Sequence, residues 1–154
     1  MTGKPPTAYK GSHVIPGEEE TDLSRNMDNM IALVNLKNIF SRQLPKMPKE
    51  YICKLIFDRR HEAIVIRKKG SKIIGGICFR VYESQKFAEI AFLAISAEEQ
   101  IRGFGSKLMN QLKTEMQKRG VHFLMTYADN LAIGYFKKQG FHKSIQIPKQ
   151  IWEG

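Results

Sequence analysis

A glycine pair with G-x-G spacing, set between a strongly apolar run and a helical pattern, is the feature that most constrains this chain. The segment reads Gln100-Ile101-Arg102-Gly103-Phe104-Gly105-Ser106, and residues 107–119 after it have the spacing of a helix. Glycines at such a turn let backbone N–H groups approach a ligand that side chains would otherwise block. A helix N-terminus favours phosphate. The segment therefore predicts a pyrophosphate-binding turn, and a ligand-free strand-to-helix turn is the alternative.

Two other phosphate-binding loops do not fit the segment. A Walker loop requires G-x-x-x-x-G-K followed by Ser or Thr, and the chain has no such run. The dinucleotide fingerprint requires a third glycine where Leu108 stands. It also requires an acidic residue about 20 positions further on, which is missing here.

Hydrophobic spacing predicts a mixed α+β fold, in which a strand meander precedes a β-α-β-α-β order. Pro45 ends the first helix, Pro48 starts the second, and Gly120 and Gly140 each close a later helix. The predicted helices cover about 24–44, 48–56, 103–119 and 130–139, and the predicted strands cover 63–67, 72–82, 87–96, 121–127 and 141–147.

The chain is expected to form one domain over residues 22–154, preceded by a mostly flexible tail over residues 1–21. Residues 13–15 are the candidate edge strand in that tail. The apolar spacing also predicts which side chains point inward from the first two helices. They are Met27, Met30, Ile31 and Val34, extended by Leu33, Leu36 and Phe40, and then Tyr51, Ile52, Leu55 and Ile56.

Composition narrows the classes of function. The 154 residues are 42% hydrophobic, which is enough for one core, and the longest apolar runs fall short of the ~20 residues of a membrane helix. Cys53, Cys78 and the four histidines show no ligand spacing, so no metal is expected. The net charge of +10 favours a polyanionic partner, and coenzyme A, nucleic acid and anionic lipid all qualify.

Glu89 is the candidate catalytic residue because it is the only polar side chain in the run from Phe87 to Ile95. Strand alternation places Phe87, Glu89, Ala91, Leu93 and Ile95 on one face, and Ala88, Ile90, Phe92 and Ala94 on the other. Apolar surroundings disfavour the charged form, so the pKa of Glu89 is expected to be raised, as suits a general base near neutrality. The alternative is a solvent-facing carboxylate paired with a lysine.

Acyl transfer from a phosphate-bearing carrier to an amine would use both the glycine turn, to bind the carrier, and Glu89, to act as the base. A lysine ammonium has a pKa near 10.4 and must lose a proton before it attacks, so the reaction requires a base. A free backbone N–H near Leu93 to Ile95 is the candidate donor to the oxyanion if the strand diverges from its neighbour. Tyr135 and Phe136 are candidates to face the thiol end of the carrier, or else they belong to the core.

Several segments together resemble the catalytic domain of the PCAF-type histone acetyltransferases, the general-control-nonderepressible branch of the GNAT superfamily. The resemblance extends from about Asn29 to Pro148. Its segments are Leu44-Pro45-Lys46-Met47-Pro48-Lys49-Glu50-Tyr51-Ile52, Ile74-Gly75-Gly76-Ile77-Cys78-Phe79-Arg80, Phe87-Ala88-Glu89-Ile90, Gln100-Ile101-Arg102-Gly103-Phe104-Gly105, Thr126-Tyr127-Ala128-Asp129-Asn130 and Ala132-Ile133-Gly134-Tyr135-Phe136-Lys137-Lys138-Gln139-Gly140-Phe141.

The resemblance implies the GNAT fold, a central, mostly antiparallel sheet flanked by helices, with acetyl-CoA as cosubstrate. Glu89 falls at the general base, which acts in a ternary complex on a lysine of a histone tail, chiefly that of histone H-three. The implied setting is a nuclear coactivator assembly, with neither nucleic acid nor membrane as a direct partner. The implied cofactor contacts are Leu93, Ala94, Ile95, Gln100, Ile101, Arg102, Gly103, Phe104, Gly105, Ser106, Ala132, Tyr135 and Phe136.

Two alternatives accompany this hypothesis. One is a GNAT enzyme that acetylates another protein or a small amine, and the other is a basic nucleic-acid-binding module without catalysis. The family also continues beyond the residues that correspond to Trp152-Glu153-Gly154, so the domain is expected to be truncated at its C-terminal end.

Overall fold

The computed structural model describes residues 7–9, 22–68, 72–100, 103–128 and 132–142. Between residues 22 and 139 the order of helices and strands is the predicted one, with bounds that differ by a few residues. The strands are β1 (Thr7–Tyr9), β2 (His61–Lys68), β3 (Lys72–Tyr82), β4 (Phe87–Ile95) and β5 (Phe123–Thr126). The helices are α1 (Asp22–Gln43), α2 (Lys49–Ile56), α3 (Phe104–Lys118) and α4 (Ile133–Lys138), with a short 3₁₀ helix at Ala97–Glu99.

The strands form one sheet in the order β1-β2-β3-β4-β5. The first four are antiparallel neighbours, whereas β4 and β5 are parallel because α3 crosses over between them. This confirms the predicted mixed α+β class with a mostly antiparallel sheet.

Helices cover both faces of the sheet, and each face has its own core. The α3 side is built on Ile64, Ile66, Ile74, Ile77, Phe79, Ala88, Ile90, Ile95, Phe104, Leu108, Met109, Leu112, Met116, Val121 and Phe136. The side under α1 and α2 is built on Ala32, Leu33, Leu36, Ile39, Phe40, Ile52, Ile56, Ala63, Val65, Ile73, Cys78, Phe92 and Ala94.

A one-residue bulge divides β4 into two halves. Cys78 of β3 pairs with Phe92, but the next residue, Phe79, pairs with Ile90. Ala91 is therefore left without a partner in the β3–β4 ladder. A bulge of this kind bends the strand and increases its twist.

The face pattern predicted for β4 is correct before this bulge and wrong after it. Ala88 and Ile90 pack on the α3 side. Phe92 and Ala94 pack under α1 and α2, although strict alternation placed all four on one face. The extra residue reverses the facing of everything that follows it. Glu89 precedes the bulge, so its side chain projects on the face of α1 and α2.

The predicted inward faces of α1 and α2 are partly wrong. Leu33, Leu36 and Phe40 are buried as expected, but Met30 and Ile31 are more than half exposed, at 52% and 56%. The apolar residues of α1 cover more of its circumference than the sheet can contact, and the small Ala32 lies on the buried side instead.

On α2, Ile52 and Ile56 are buried while Tyr51 is exposed and contacts Phe92 only edge to face. Val34 of α1 is also exposed.

The edge strand of the N-terminal segment differs from the predicted one. Thr7–Tyr9 forms β1, which pairs antiparallel with Ala63 to Val65 of β2. Residues 13–15, where an edge strand was predicted, lie outside the described residues.

Glycines close α3 and α4 as predicted. After α3, Gly120 has φ of +71°, and the N–H of Val121 donates to the Met116 carbonyl at 2.9 Å. After α4, the N–H of Phe141 donates to the Phe136 carbonyl at 3.0 Å. Both arrangements are Schellman closures. Phe141 thus belongs to the end of α4 and not to the strand predicted at 141–147, of which 143–147 lie outside the described residues.

Arg119 joins the end of α3 to the sheet. Its guanidinium donates to both carboxylate oxygens of Glu62 on β2, at 2.7 and 2.8 Å, and also to Glu115. These carboxylates raise the pKa of Arg119 above its ordinary value. The bidentate ion pair is half-buried, which makes it stronger than an ordinary surface ion pair.

In the part of the chain that the structure describes, no helix has the length and apolar character to cross a membrane.

Gly76 lets α1 approach β3 closely, and this generates a stability prediction. A Cβ at this position would lie 2.6 Å from Leu36 Cδ1 and 2.7 Å from the Ile64 carbonyl oxygen. We expect Gly76→Ala to lower the free energy of unfolding by about 1–3 kcal/mol through overpacking, as measured by urea denaturation.

Gly134→Ala is the matched control, because a Cβ there meets nothing within 4 Å and the residue lies in α4. It should be neutral or stabilise by up to about 1 kcal/mol. Equal losses in both variants would show that the Gly76 contact does not set the spacing of α1 from the sheet.

Candidate functional site

The site begins where β4 and β5 separate. The two strands pair only over Phe87–Ile90 and Phe123–Thr126, and β4 then continues alone to Ile95. At the point of separation the Thr126 hydroxyl donates to the Ile90 carbonyl at 3.3 Å. The bulge at Ala91 follows at once, and its bend accounts for the divergence. The backbone of residues 91–95 therefore has no strand partner on the β5 side among the described residues.

Glu89 lies in β4 just before this point, and its side chain is half-buried. It faces Arg80 on β3 and Met125 on β5. Its carboxylate makes no hydrogen bond or ion pair with any residue that the structure describes. Within the described residues the side chain is therefore not held in an ion pair. The alternative for Glu89, a pairing with a lysine, is not seen among the described residues.

The glycine turn exposes the N-terminus of α3. Gly103 takes the left-handed conformation with φ of +79°, where a side chain would be strained. The N-cap residue Gly103 has no side chain to cap the helix, and the first intrahelical bond runs from the Lys107 N–H to the Gly103 carbonyl at 3.2 Å. The N–H groups of Phe104, Gly105 and Ser106 therefore have no acceptor within the helix and are available to an anion, which the helix dipole favours there.

Three hydrogen bonds hold α4 against this helix start. The Tyr135 hydroxyl donates to the Gly105 carbonyl at 2.8 Å, and Gln139 Nε2 donates to Ser106 Oγ at 3.1 Å. Lys113 Nζ then donates to the Gln139 carbonyl at 2.6 Å. Gly105 leaves room for the Tyr135 ring, because a Cβ at this position would lie only 3.2 Å from the ring and the ring would have to shift by a few tenths of an ångström.

Burial raises the pKa of Tyr135 to about 12. The phenol is therefore protonated at neutral pH, and its proton is already donated to the Gly105 carbonyl. Tyr135 fixes the glycine turn in this arrangement.

Gln100 links the end of β4 to α1. Its side-chain Nε2 donates to the Ile95 carbonyl and to Gln43 Oε1, both at 3.0 Å. The first residue of the glycine segment thus holds the end of the unpaired strand in place.

The remaining residues that were predicted to bind the cofactor lie in several different places. Phe104 and Phe136 have buried side chains in the α3-side core, at 3% and 8% exposure, so Phe104 is left with its backbone as a contact. Leu93 and Ile95 also face that core, because of the bulge.

Ala94 faces the opposite core, and Ala132 precedes α4 and is half-buried. Ile101 and Arg102 lie outside the described residues.

Two cavities of the described residues lie away from the predicted site residues Glu89 and the glycine turn. Cavities of about 680 and 730 Å³ lie along the outer edge of β5 and between α1 and α2, and neither is lined by Glu89 or by the glycine turn. The described residues also hold no cluster of three His, Cys, Asp or Glu side chains that could bind a metal ion.

Sequence reasoning missed three residues that the structure connects to the site. They are Gln43, Lys113 and Gln139. Helical spacing contained a signal for Gln139, which stands four residues after Tyr135 and so shares its face of α4. The other two make contacts between elements distant in sequence, for which a local pattern carries no signal.

Comparison with known proteins agrees with this geometry. A family model described as the Acetyltransferase (GNAT) family matches residues 32–141. The chain is 51% identical over 128 residues to Histone acetyltransferase GCN5 of Yarrowia lipolytica, and this alignment covers 82% of this chain and 28% of that protein. The chain thus spans little more than a quarter of the length of that curated relative.

Two solved structures of Tetrahymena GCN5 are also similar. One has a TM-score of 0.81 at 60% identity and covers 88% of this chain and 83% of its own. The other, the catalytic domain in complex with coenzyme A, has a TM-score of 0.67 at 59% identity, with coverages of 89% and 80%. This chain therefore belongs to the acetyltransferase (GNAT) family, in the branch that contains the GCN5 proteins.

Proposed function

We propose that this protein transfers the acetyl group of acetyl-CoA to a lysine ε-amine of a histone tail. The observation that carries the proposal is the divergence of β4 from β5 beside the uncapped N-terminus of α3. The unpaired edge of β4 offers backbone groups to the amides of the pantetheine arm of acetyl-CoA. The N-terminus of α3 offers N–H groups to its pyrophosphate. The relatives named as histone acetyltransferases, and the relative with coenzyme A bound, support the same ligand and reaction.

The two halves of the cofactor site are connected along one strand. The distance from Glu89 to Ile95 is roughly 20 Å at about 3.3 Å per residue, and the glycine turn follows Ile95 after the 3₁₀ helix. The proposed cofactor contacts are Leu93, Ala94, Ile95, Gln100, Ile101, Arg102, Gly103, Phe104, Gly105, Ser106, Ala132, Tyr135 and Phe136. Phe136 contributes by packing against Tyr135, with ring centroids 5.0 Å apart.

Glu89 is the proposed general base, acting directly or through a water molecule. It accepts a proton from the substrate ammonium, and the free amine then attacks the thioester carbonyl carbon. A backbone N–H in Leu93 to Ile95 donates to the oxyanion that forms. Collapse of that intermediate breaks the carbon–sulfur bond; the nitrogen gives up its remaining extra proton as the amide forms, and one proton neutralises the departing thiolate, so that coenzyme A is released as its thiol. The acetyl group passes directly to the amine, so no cysteine is acetylated on the way.

The substrate and setting follow the relatives. We place the reaction on a histone tail, chiefly that of histone H-three, in the nucleus and within a coactivator assembly. Membership of a catalytic family argues against a nucleic-acid-binding module without chemistry. An acceptor such as a polyamine is the remaining alternative, and transfer to polyamines without transfer to lysine peptides would select it.

Glu89→Gln tests the base. The amide keeps the size of the side chain but cannot accept the proton, so acetyl transfer to a histone H-three tail peptide should fall by about 10²- to 10⁴-fold near neutral pH. The affinity for acetyl-CoA, measured by calorimetry, should stay the same. Rates measured from pH 6 to 9 should rise with pH in the wild type.

Glu83→Gln is the matched control, because Glu83 is an exposed carboxylate in the turn between β3 and β4. Its activity should equal that of the wild type. Activity within twofold of wild type in Glu89→Gln would refute the assignment of the base.

Tyr135→Phe tests the contact between α4 and the glycine turn. Loss of one hydrogen bond of about 1 kcal/mol should weaken acetyl-CoA binding about fivefold, while kcat changes less than twofold. Calorimetry and steady-state kinetics measure the two quantities, and Tyr127→Phe is the control because Tyr127 is 84% exposed. A hundredfold loss of kcat with unchanged affinity would instead assign a proton-donor role to the hydroxyl.

A further inference from the structure

Arg80 stands directly opposite Glu89 in the ladder between β3 and β4. Residues directly opposite in an antiparallel pair project to the same face, with Cβ atoms about 4.5–5.5 Å apart. A guanidinium and a carboxylate at that spacing are normally expected to pair. Here they do not: Arg80 makes no ion pair or hydrogen bond within the described part of the chain.

The Arg80 guanidinium instead lies over the ring of Tyr82, with its Cζ 4.3 Å from the ring centroid. Tyr82 is two residues further along β3, on the same face of the sheet. Its ring is itself fixed, because it stacks on Phe87 of β4 with centroids 4.6 Å apart and an interplanar angle of 13°. The attraction between a cation and an aromatic face holds the Arg80 guanidinium over the Tyr82 ring.

We propose that Tyr82 is a positioning residue for acetyl transfer: its ring, supported by Phe87, keeps the Arg80 guanidinium off the Glu89 carboxylate. The inference rests on the proposed role of Glu89 as the base. A guanidinium within about 4–6 Å of a carboxylate lowers its pKa by about 1–3 units. A base weakened in this way removes a proton from the substrate ammonium less effectively.

The other groups that face Glu89 do not replace Arg80 in this role. On β5 the residue in register is Met125, which carries no charge. On β2, His61 is opposite Arg80 and so one strand further from Glu89, and it lies 3.8 Å from Asp58.

Among the neighbouring elements, α2 contributes Tyr51, which contacts Phe92 beyond the bulge. Tyr127, in the segment after β5, is exposed. Arg60, which precedes β2, is bound to Asp58 at 3.1 Å. Arg80 is therefore the cation in register with the base.

The experiment measures the ionisation of Glu89 without relying on catalysis. Protein labelled with carbon-13 at glutamate carboxyls is titrated by NMR, and Glu89→Gln identifies the Glu89 signal. The variants compared are Tyr82→Leu, which removes the aromatic face, Tyr82→Phe, which keeps it, Arg80→Gln, and the double variant Tyr82→Leu/Arg80→Gln. The dependence of kcat/KM on pH is recorded for each.

Tyr82→Leu should lower the Glu89 carboxyl pKa by about one unit or more. The acidic limb of kcat/KM should move down by the same amount, and the plateau rate should fall by roughly three- to tenfold as basicity is lost. Tyr82→Phe should keep the wild-type carboxyl pKa. The double variant should return to that value, because no guanidinium remains to pair with the carboxylate.

Two results would overturn the inference. One is an unchanged Glu89 pKa in folded Tyr82→Leu, with folding verified by its circular dichroism. The other is a rise of about one unit in Arg80→Gln alone, which would mean that Arg80 already pairs with Glu89. Failure of the proposed function looks different, because the NMR shifts would appear as expected while Glu89→Gln remained active.

Discussion

The bulge at Ala91 is the constraint on which the rest of the site depends. It follows immediately after the last residue of β4 that pairs with β5, and it turns the remainder of β4 away from that neighbour. Without it, a regular ladder would satisfy the backbone groups of residues 91–95. With it, those groups lie along an open edge, while Glu89, which precedes the bulge, stays in register with the sheet beside that edge.

An open strand edge is useful only if the elements around it are rigid. The α3 helix is held at both ends: Arg119 binds Glu62 of β2 at the C-terminal end, and α4 binds the glycine turn at the other. The carbonyl that accepts from Tyr135 belongs to the same turn whose N–H groups remain free. The fold thus satisfies the acceptors of the glycine turn internally and leaves its donors for an anion.

Much of this fold could be predicted from the sequence, for identifiable reasons. Periodicity, the proline at position 48 and the glycines after α3 and α4 are local signals, and the helices and strands that they predicted between residues 22 and 139 are confirmed. The errors came from interactions between elements. Alternation cannot reveal a bulge, so the facing of Phe92 was wrong. Amphipathic spacing cannot tell which of two apolar sides of α1 meets the sheet, so Met30 was wrongly placed inside.

The candidate site was predictable in its residue types and not in its connections. Glu89 and the glycine segment stood out because a carboxylate in an apolar strand and a G-x-G turn are both unusual in local sequence. The arrangement of Arg80, Tyr82 and Phe87 did not, because it requires the register between two strands. Single-strand patterns also concealed that Gln100 would bind the end of β4.

The net charge of +10 is compatible with a basic substrate because it is not the charge of the reaction site. Several cations are paired where they stand: Arg60 with Asp58 at 3.1 Å, Lys72 with Glu98 at 3.4 Å, and Arg119 with Glu62. Unpaired surface lysines act over about 8 Å at physiological ionic strength, beyond which salt screens them. The relevant charges are then those on the sheet around Glu89, where the cation in register is held over an aromatic ring and the Glu89 side chain has no ion-pair partner among the described residues. The ammonium of the proposed substrate would therefore meet an unpaired carboxyl group there, whatever the sign of the distant surface.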